Sequence, residues 1–134
     1  MINVYTDGSC IGQKGGWAYI IINNEDSIIS NSGRVPKNAT NNRMELTACL
    51  KAIEKIIELK LNGKKINIFT DSQYVITVLS CKKQFTINED LITKIRDIFH
   101  LVDLQFKWVK AHSGNFFNES VDIMAKNKAK GITI

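Results

Sequence analysis

The chain has 134 residues and three cysteines, and its formal net charge is +5, which suits a polyanionic partner without requiring one. Its length excludes two domains and allows one, residues 1–134, while three cysteines without a C-x-x-C pair argue against a disulfide framework or a thiolate zinc site. No leader-like segment or membrane-length apolar run is present, so we expect a protein of the reducing cytoplasm that has no membrane partner.

The first predicted elements are three strands. Residues 2–6 alternate between apolar and polar side chains until Gly8 breaks the pattern, which places Asp7 at the end of a strand. Two further apolar runs, 17–22 and 27–30, are separated by a polar turn. They predict a hairpin that follows the first strand and is antiparallel to it.

A long helix and a fourth strand come next. After the capping residues 40–42, apolar side chains recur at helical spacing, which predicts a helix of about five turns that ends at Gly63. Glu45 lies in the first turn of this predicted helix, beside its buried stripe. The alternating stretch 65–70 then predicts a strand whose C-terminal end carries Asp71.

The remaining elements complete an α/β fold. Apolar spacing predicts short helices around 74–79 and 91–99, a strand over 104–108, and a C-terminal helix that begins near Val121 and carries Asp122. The order β-β-β-α-β-α-α-β-α predicts a mixed five-stranded sheet flanked by helices, with its first three strands antiparallel and at least one parallel pair.

Four acidic residues lie at breaks between these elements: Asp7, Glu45, Asp71 and Asp122. Carboxylates at the edges of apolar elements are costly to bring together unless a cation lies between them. Carboxylate oxygens are the ligands that Mg2+ and Mn2+ prefer, and two ions about 3.5 to 4 Å apart can activate a water and stabilise a leaving oxygen at a phosphodiester. Convergence of these acids would therefore imply a divalent-metal site.

Each acid also has an ordinary structural explanation. Asp7 could be a turn residue, and Glu45 could complement the dipole of its helix. Asp71 could cap a helix, and Asp122 could pair with Lys126 four residues later. Only the combination of the four residues points to a metal site.

Five short motifs contain the acids and one histidine. They are Tyr5-Thr6-Asp7-Gly8-Ser9-Cys10, Thr40-Asn41-Asn42-Arg43-Met44-Glu45-Leu46, Phe69-Thr70-Asp71-Ser72-Gln73-Tyr74-Val75, Trp108-Val109-Lys110-Ala111-His112-Ser113-Gly114 and Asn118-Glu119-Ser120-Val121-Asp122. In this order they resemble the type 1 ribonuclease H family, from Tyr5 to about Ala125, and five ordered motifs are far more specific than any one of them.

The resemblance implies a ribonuclease H-like fold and an endonuclease that hydrolyses the RNA strand of RNA/DNA hybrids. It also implies two Mg2+ ions, which Mn2+ can replace, products with 3'-hydroxyl and 5'-phosphate ends, and a monomer. The acids Asp7, Glu45, Asp71 and Asp122 would be catalytic and hold the metal ions. His112, in a mobile loop, would move protons or help product release; the alternative is a solvated loop histidine.

The resemblance further implies a set of substrate contacts. They come from Cys10, Gly12, Gln13, Thr40, Asn41, Asn42, Arg43 and Gln73. Amide side chains and backbone groups suit recognition of the 2'-hydroxyl that distinguishes RNA from DNA. Helix capping is the alternative for Asn41 and Asn42, and phosphate is the expected ligand of Thr40 and Arg43.

Two features depart from the family pattern. Gln13 stands where bacterial relatives usually have asparagine, in a loop that is shorter than theirs. Only residues 81–86 lie where many bacterial relatives carry an extra helix and a basic loop. Because phosphate contacts supply much of the affinity for nucleic acids, we expect weaker hybrid binding unless other lysines substitute. The candidates are Lys82, Lys83, Lys126, Lys128 and Lys130.

Two other interpretations stay open. The chain could be another nuclease of the same fold, such as a junction resolvase or an exonuclease, although the intact motifs around Glu45 and Asp71 disfavour this. It could also be a non-catalytic hybrid-binding module, which the presence of all four acids disfavours. Neither a G-x-S-x-G motif nor a nucleotide-binding glycine loop is present, so serine-nucleophile, ATP and NAD chemistry are not expected. His100 matches no motif and is expected at the surface.

Overall fold

The computed structural model describes residues 1–24 and 26–132, and within them the elements follow one another in the predicted order. They are β1 (Ile2–Ile11), β2 (Lys14–Asn24), β3 (Ser27–Val35), α1 (Asn41–Glu58), β4 (Lys65–Thr70), α2 (Gln73–Leu79), α3 (Glu89–Ile98), β5 (Asp103–Trp108) and α4 (Phe116–Lys130). A short 3-10 helix, Phe99–Leu101, follows α3 and leaves His100 exposed, as predicted.

The strands form one mixed sheet in the order β3-β2-β1-β4-β5. β1, β2 and β3 are antiparallel neighbours, whereas β4 is parallel to β1 and β5 is parallel to β4. The crossover through α1 is what makes β1 and β4 parallel. The predicted sheet, including its three antiparallel strands, is confirmed.

Helices cover the sheet on both faces. On one face, Ile2 and Val4 of β1 pack with Ile53 of α1 in the larger core. On the other face, Tyr5 and the neighbouring strand residues pack with Val121 of α4 in a smaller core. Burying a side chain such as isoleucine stabilises a fold by roughly 1.5–3 kcal/mol, so the two apolar layers can hold a polar site at the edge between them.

Gly8 does not end the first strand, contrary to the prediction. β1 continues through Gly8 and pairs Asp7 with Ala18 of β2. On its other side, β1 pairs with β4 only as far as Tyr5 and Phe69. Asp7 therefore lies within β1 but beyond the last residue of β1 that pairs with β4. The edge of β1 that faces β4 is therefore not covered by a neighbouring strand at Asp7.

The ends of two helices also differ from the prediction. α1 ends at Glu58 and not at Gly63, because the chain turns through the left-handed region at Lys60, whose φ is 58°. The α1 helix begins early enough that Glu45 lies outside its first turn. α4 begins at Phe116, earlier than predicted, because Asn115 caps it by accepting a hydrogen bond from Asn118.

The connection between α2 and α3, residues 80–88, contains no helix, as its length predicted. Arg96 of α3 folds it back by donating to the carbonyl oxygen of Cys81 at 2.9 Å, and its guanidinium lies 5.7 Å from the centre of the Phe85 ring. The connection leaves two lysines exposed: Lys82 and Lys83. None of the helices in the described ranges is long and apolar enough to cross a membrane.

Candidate active site

Three carboxylates from three different elements converge at one edge of the sheet. Asp7 lies on β1, Glu45 on α1, and Asp71 directly after β4. Each offers one oxygen, and these oxygens all lie within 4.8 Å of one another. The structure thus brings three of the four predicted acids into one group.

Gly8 allows Glu45 to reach Asp7. Neighbouring residues of a strand face opposite sides of the sheet, so Gly8 faces α1 when Asp7 faces α4. A Cβ atom on Gly8 would overlap the backbone of Met44 and Glu45, so α1 can lie directly on the strand only because residue 8 is glycine. The Gly8 N–H donates to Asp7 Oδ1 at 2.9 Å and also to Glu45 Oε1. One backbone group therefore holds carboxylates that come from opposite faces of the sheet.

Asp71 does not cap the helix that follows it. The cap of α2 is Ser72, whose hydroxyl oxygen accepts a hydrogen bond from the N–H of Val75 at 3.1 Å. The N–H of Ser72 in turn donates to Thr70 Oγ1 at 3.0 Å. The capping explanation is therefore wrong for Asp71, whose carboxylate is left to face the other acids.

Asp122 adjoins the group from α4. It is close enough to Asp7 for its carboxylate to raise the pKa of Asp7. Its Oδ2 also lies 3.0 Å from Lys126 Nζ, which is the i,i+4 pair that the ordinary explanation predicted. Asp122 thus has a cationic partner of its own at the margin of the group.

Burial raises the pKa values of three of the acids, Asp7, Glu45 and Asp71. Asp7 and Glu45 are only 5% and 8% exposed. Loss of hydration, with the charges of Asp71 and Asp122, raises the pKa of Asp7 to about 7, although a hydrogen bond with Glu45 opposes this. Loss of hydration and then repulsion from Asp7 raise the pKa of Glu45 well above its ordinary value. Burial also raises the pKa of Asp71.

The donor set fits a hard divalent cation. All the converging ligands are carboxylate oxygens, the type that Mg2+ and Mn2+ prefer. Within residues 1–24 and 26–132, no lysine or arginine forms an ion pair with Asp7, Glu45 or Asp71. Buried carboxylates without a cationic partner are costly, and a bound cation would remove that cost.

His112 lies near Asp71, in the exposed loop after β5. Burial raises the pKa of Asp71, and the charge of His112 partly offsets this effect. The backbone of His112 is left-handed, with φ of 57°, and Gly114 follows with φ of 88°. His112 thus lies in an exposed left-handed turn, close enough to Asp71 for its charge to act on that carboxylate.

The predicted substrate residues Thr40, Asn41, Asn42 and Gln73 lie at the starts of α1 and α2. Thr40 caps α1, since its Oγ1 accepts from the N–H of Arg43 at 3.1 Å. Capping is therefore not the role of Asn41 and Asn42, which are exposed in the first turn. Gln73 is exposed at the first position of α2.

The hairpin between β1 and β2 contains Cys10, Gly12 and Gln13. The Cys10 thiol lies 3.0 Å from the carbonyl oxygen of Gly12, whose φ is 62°, and 3.3 Å from that of Ala39. The N–H of Ala39 donates to the carbonyl oxygen of Gln13 at 3.0 Å. These bonds attach the hairpin to the segment that leads into α1.

Arg43 is bound to another part of the protein. Its Nη1 and Nη2 donate to both oxygens of Asp90 at 2.9 and 2.8 Å, and this pair lowers the pKa of Asp90 to about 2. Arg43 Nη1 also lies 3.3 Å from Asn88 Oδ1, and Asn88 donates to the Tyr74 hydroxyl at 2.9 Å. No sequence pattern predicted this network, because a local pattern does not report a contact between distant helices.

A sequence model of the family described as RNase H matches residues 1–130. The chain belongs to the ribonuclease H family. It is 32% identical to the ribonuclease H of Neorickettsia sennetsu, over 97% of this chain and 93% of that protein. It is 36% identical to the ribonuclease H of Treponema denticola, over 92% of this chain and 94% of that one. The predicted family and enzyme class, ribonuclease H, are confirmed.

Solved structures of the family share the fold. RNase H1 of Halobacterium salinarum has a TM-score of 0.81 at 19% identity, over 97% of this chain and 98% of that one. LC11-RNase H1, solved in complex with an RNA/DNA hybrid, has a TM-score of 0.81 at 18% identity, over 98% of each chain. At these identities the likeness concerns the fold, and it confirms the predicted ribonuclease H-like architecture.

Proposed function

We propose that this ribonuclease H is an endonuclease that hydrolyses the RNA strand of RNA/DNA hybrids and leaves 3'-hydroxyl and 5'-phosphate ends. The convergence of Asp7, Glu45 and Asp71 within 4.8 Å carries this proposal. The fold it shares with a relative that was solved on an RNA/DNA hybrid supports the choice of substrate. We further propose that residues 1–134 form one catalytic domain that acts as a monomer.

In this proposal, Asp7, Glu45, Asp71 and Asp122 hold two Mg2+ ions, which Mn2+ can replace. The ions, when bound, would supply an activated water and stabilise the leaving oxygen of the phosphodiester. The protein contributes the placement of the acids, because β1, α1 and the end of β4 fix their backbones before any substrate arrives. The N–H of Gly8 keeps the carboxylates of Asp7 and Glu45 oriented.

His112 would carry protons at the open side of the site. An imidazole can accept and release a proton near neutral pH, which suits protonation of the leaving 3' oxygen or release of the product. Its place in an exposed loop near Asp71 supports this role, because it puts an exposed imidazole beside a carboxylate of the site.

The substrate would lie across the starts of α1 and α2 and the first hairpin. Asn41, Asn42 and Gln73 carry exposed amides that can donate to and accept from a 2'-hydroxyl. The hairpin residues Cys10, Gly12 and Gln13 would contribute backbone groups beside them. Thr40 can donate its hydroxyl proton to a phosphate while its oxygen caps α1.

The cysteines are consistent with work in a reducing compartment. All three are free thiols: Cys10, Cys49 and Cys81. Burial raises the pKa of Cys49 to about 12, which makes its thiol chemically inert. We therefore propose the cytoplasm as the site of action.

Cleavage of a labelled RNA/DNA hybrid in Mg2+ tests the proposal, beside single-stranded RNA, RNA duplex and DNA duplex. We expect the wild-type protein to cut only the hybrid among these substrates. We expect the substitution Asp71→Asn, and equally EDTA, to abolish the reaction. Asp103→Asn is the matched control, because Asp103 is exposed at the opposite end of the parallel strands. A hybrid that is bound but never cut would favour a binding module, and preferential cutting of another substrate would favour a different nuclease.

A further inference from the structure

Basic side chains gather beside the acids on the α4 face of the sheet. Lys14 and Gly16 share that face of β2, and Arg34 of β3 is the residue paired with Gly16. α4 packs closely at this point, since a Cβ on Gly16 would lie 2.9 Å from Cβ of Lys128. We call Lys14, Arg34 and Lys128 the basic cluster.

The basic cluster lies a short distance from the acids. Asp7 pairs with Ala18, which is two residues from Gly16 and four from Lys14 on β2, or about 7 and about 13 Å along the strand. Lys128 follows Asp122 by six residues on α4, which corresponds to about 9 Å along the helix. These separations equal roughly two to four nucleotide rises of about 3.4 Å. The cluster is therefore close enough to the acids to contact phosphates a few nucleotides from the point of cleavage.

The charges of the basic cluster are not neutralised by the described part of the protein. The ion pairs there are Arg43–Asp90, Lys55–Glu58 and Lys126–Asp122. Lys126 is therefore engaged with a site acid, whereas no carboxylate in residues 1–24 and 26–132 pairs with Lys14, Arg34 or Lys128. The structure thus distinguishes Lys126, which pairs with Asp122, from Lys128, although both were candidate phosphate ligands in the sequence analysis.

Helix stabilisation explains part of this arrangement and leaves part unexplained. The Arg34 guanidinium lies 3.5 Å from where a Cβ of Gly131 would be, so Arg34 and Lys128 both complement the negative C-terminal end of α4. Such an interaction is worth about 0.3–1 kcal/mol at a surface. It gives no reason for Lys14, which lies on the hairpin that is attached to the start of α1.

We propose that the basic cluster binds backbone phosphates of the nucleic-acid duplex, and so replaces the binding energy that the short 80–88 connection cannot supply. The inference rests on the proposed function in taking a duplex at the acids as the substrate. Arg34 and Lys128 would each release bound counterions from the duplex, and so make its binding depend on salt. The cluster lies on the α4 face, whereas Lys82 and Lys83 lie on the α2–α3 side.

Three double variants, each removing two positive charges, test the inference: Arg34→Gln/Lys128→Gln, Lys82→Gln/Lys83→Gln and the remote control Lys60→Gln/Lys65→Gln. For the first we expect a KM for the hybrid about three- to tenfold higher, with kcat within about twofold of wild type. The slope of log binding constant against log salt should become shallower by about 1 to 2, since each lost phosphate contact contributes about 0.9. The remote control should leave both quantities unchanged.

Binding is also measured without turnover, by fluorescence anisotropy of labelled hybrid and DNA duplex on Asp71→Asn protein. Should wild type fail to cut the hybrid while the cluster variant still flattens the salt slope for a duplex, the proposed function fails and this inference stands. An unchanged slope in the cluster variant, or a loss confined to Lys82→Gln/Lys83→Gln, would overturn the inference. Arg34→Lys/Lys128→Arg keeps both charges and should retain wild-type binding, whereas a loss there would indicate a structural role.

Discussion

Asp7 and Glu45 differ from Asp71 and Asp122 in how firmly the fold holds them. Asp7 lies within β1 and Glu45 lies against Gly8, and both are more than nine-tenths buried. Asp71 follows the last residue of β4, and Asp122 lies on the side of α4, so both are partly exposed. The inner pair, Asp7 and Glu45, is therefore fixed by packing, whereas the outer pair, Asp71 and Asp122, can adjust.

This difference separates two tasks within one site. The inner pair is unfavourable for folding when no cation is bound, because burial raises the pKa of each carboxyl group. The outer pair faces the side from which a substrate phosphate arrives. At Asp7 and Glu45, the ionised carboxylates that favour metal binding should therefore destabilise the metal-free fold. At Asp71 and Asp122, the side chains should change position when substrate binds.

The largest expected effect comes from replacing one acid of each pair. Asp7→Asn and Asp71→Asn should each lower hybrid cleavage by at least about 100-fold, since each removes a carboxylate that would hold the ions stabilising charge at the reacting phosphate. In EDTA, Asp7→Asn should also raise the free energy of unfolding by about 1–3 kcal/mol, with a smaller gain for Asp71→Asn. Urea unfolding and single-turnover cleavage measure the two effects. Equal gains in stability would remove the distinction between the pairs.

The next effect is a dependence of stability on pH in the metal-free protein. The pKa of Asp7 rises from 3.8 in the unfolded chain to about 7 in the fold, so the fold favours the protonated acid. Its stabilising contribution is complete below about pH 4 and is lost as pH rises toward about 7. In EDTA, the free energy of unfolding should fall by about 1–3 kcal/mol between about pH 5 and pH 8.

Two further measurements identify the group responsible for the loss of stability at high pH. Asp7→Asn should flatten the pH profile, because asparagine does not titrate. Millimolar Mg2+ should restore much of the stability near pH 8, since it binds the ionised acids of the folded state. A profile that rises with pH in EDTA would contradict the raised pKa of the inner pair.

A smaller effect is expected at the outer pair, where Lys126 competes with a metal ion for Asp122. Their side chains lie 3.0 Å apart at a partly exposed position, so the ion pair is worth no more than about 1 kcal/mol. Lys126→Gln should therefore lower the Mg2+ concentration for half-maximal cleavage by about two- to fivefold. Lys130→Gln, on the same helix, is the control. A rise in KM for the hybrid instead would show that Lys126 binds substrate.

The elements were predictable from periodicity, because apolar alternation and helical spacing are local. One error arose where a distant contact overrode a local rule, and another where a turn came earlier than the pattern indicated. Gly8 was expected to break a strand, but pairing with β2 extends it, and its lack of a side chain serves the approach of α1. Gly63 was expected to end α1, but Lys60 turns the chain earlier with a bond from its N–H to the carbonyl of Ile57.

The candidate site was predictable in its residues and not in its arrangement. Motifs name Asp7 and Glu45, yet they cannot tell that these residues come from opposite faces of the sheet and meet at Gly8. The same limit applies to Arg43, because its motif suggested phosphate as its ligand and could not report its contact with Asp90. Its partner Asp90 lies in another helix, and nothing in the sequence around either residue reports the other.

The smallest expected effect tests whether Arg43 helps to position Glu45 of the inner pair. Arg43 joins the first turn of α1 to Asp90 and Asn88 at the start of α3, and Asn88 in turn bonds Tyr74 of α2. We expect the network to position α1, and with it Glu45. If so, Asp90→Asn should raise KM or lower kcat by about two- to threefold, as expected for loss of a surface ion pair.

Arg43→Gln should have the same effect as Asp90→Asn, and the double variant should be no worse than either, because all three break one interaction. A phosphate ligand predicts the opposite sign, since Asp90→Asn would release the guanidinium and tighten hybrid binding. Glu89→Gln, a neighbouring exposed acid in the same turn of α3, controls for the change in net charge. A gain in hybrid affinity confined to Asp90→Asn would show that Arg43 binds the substrate. Gly8 would then be the contact that fixes Glu45.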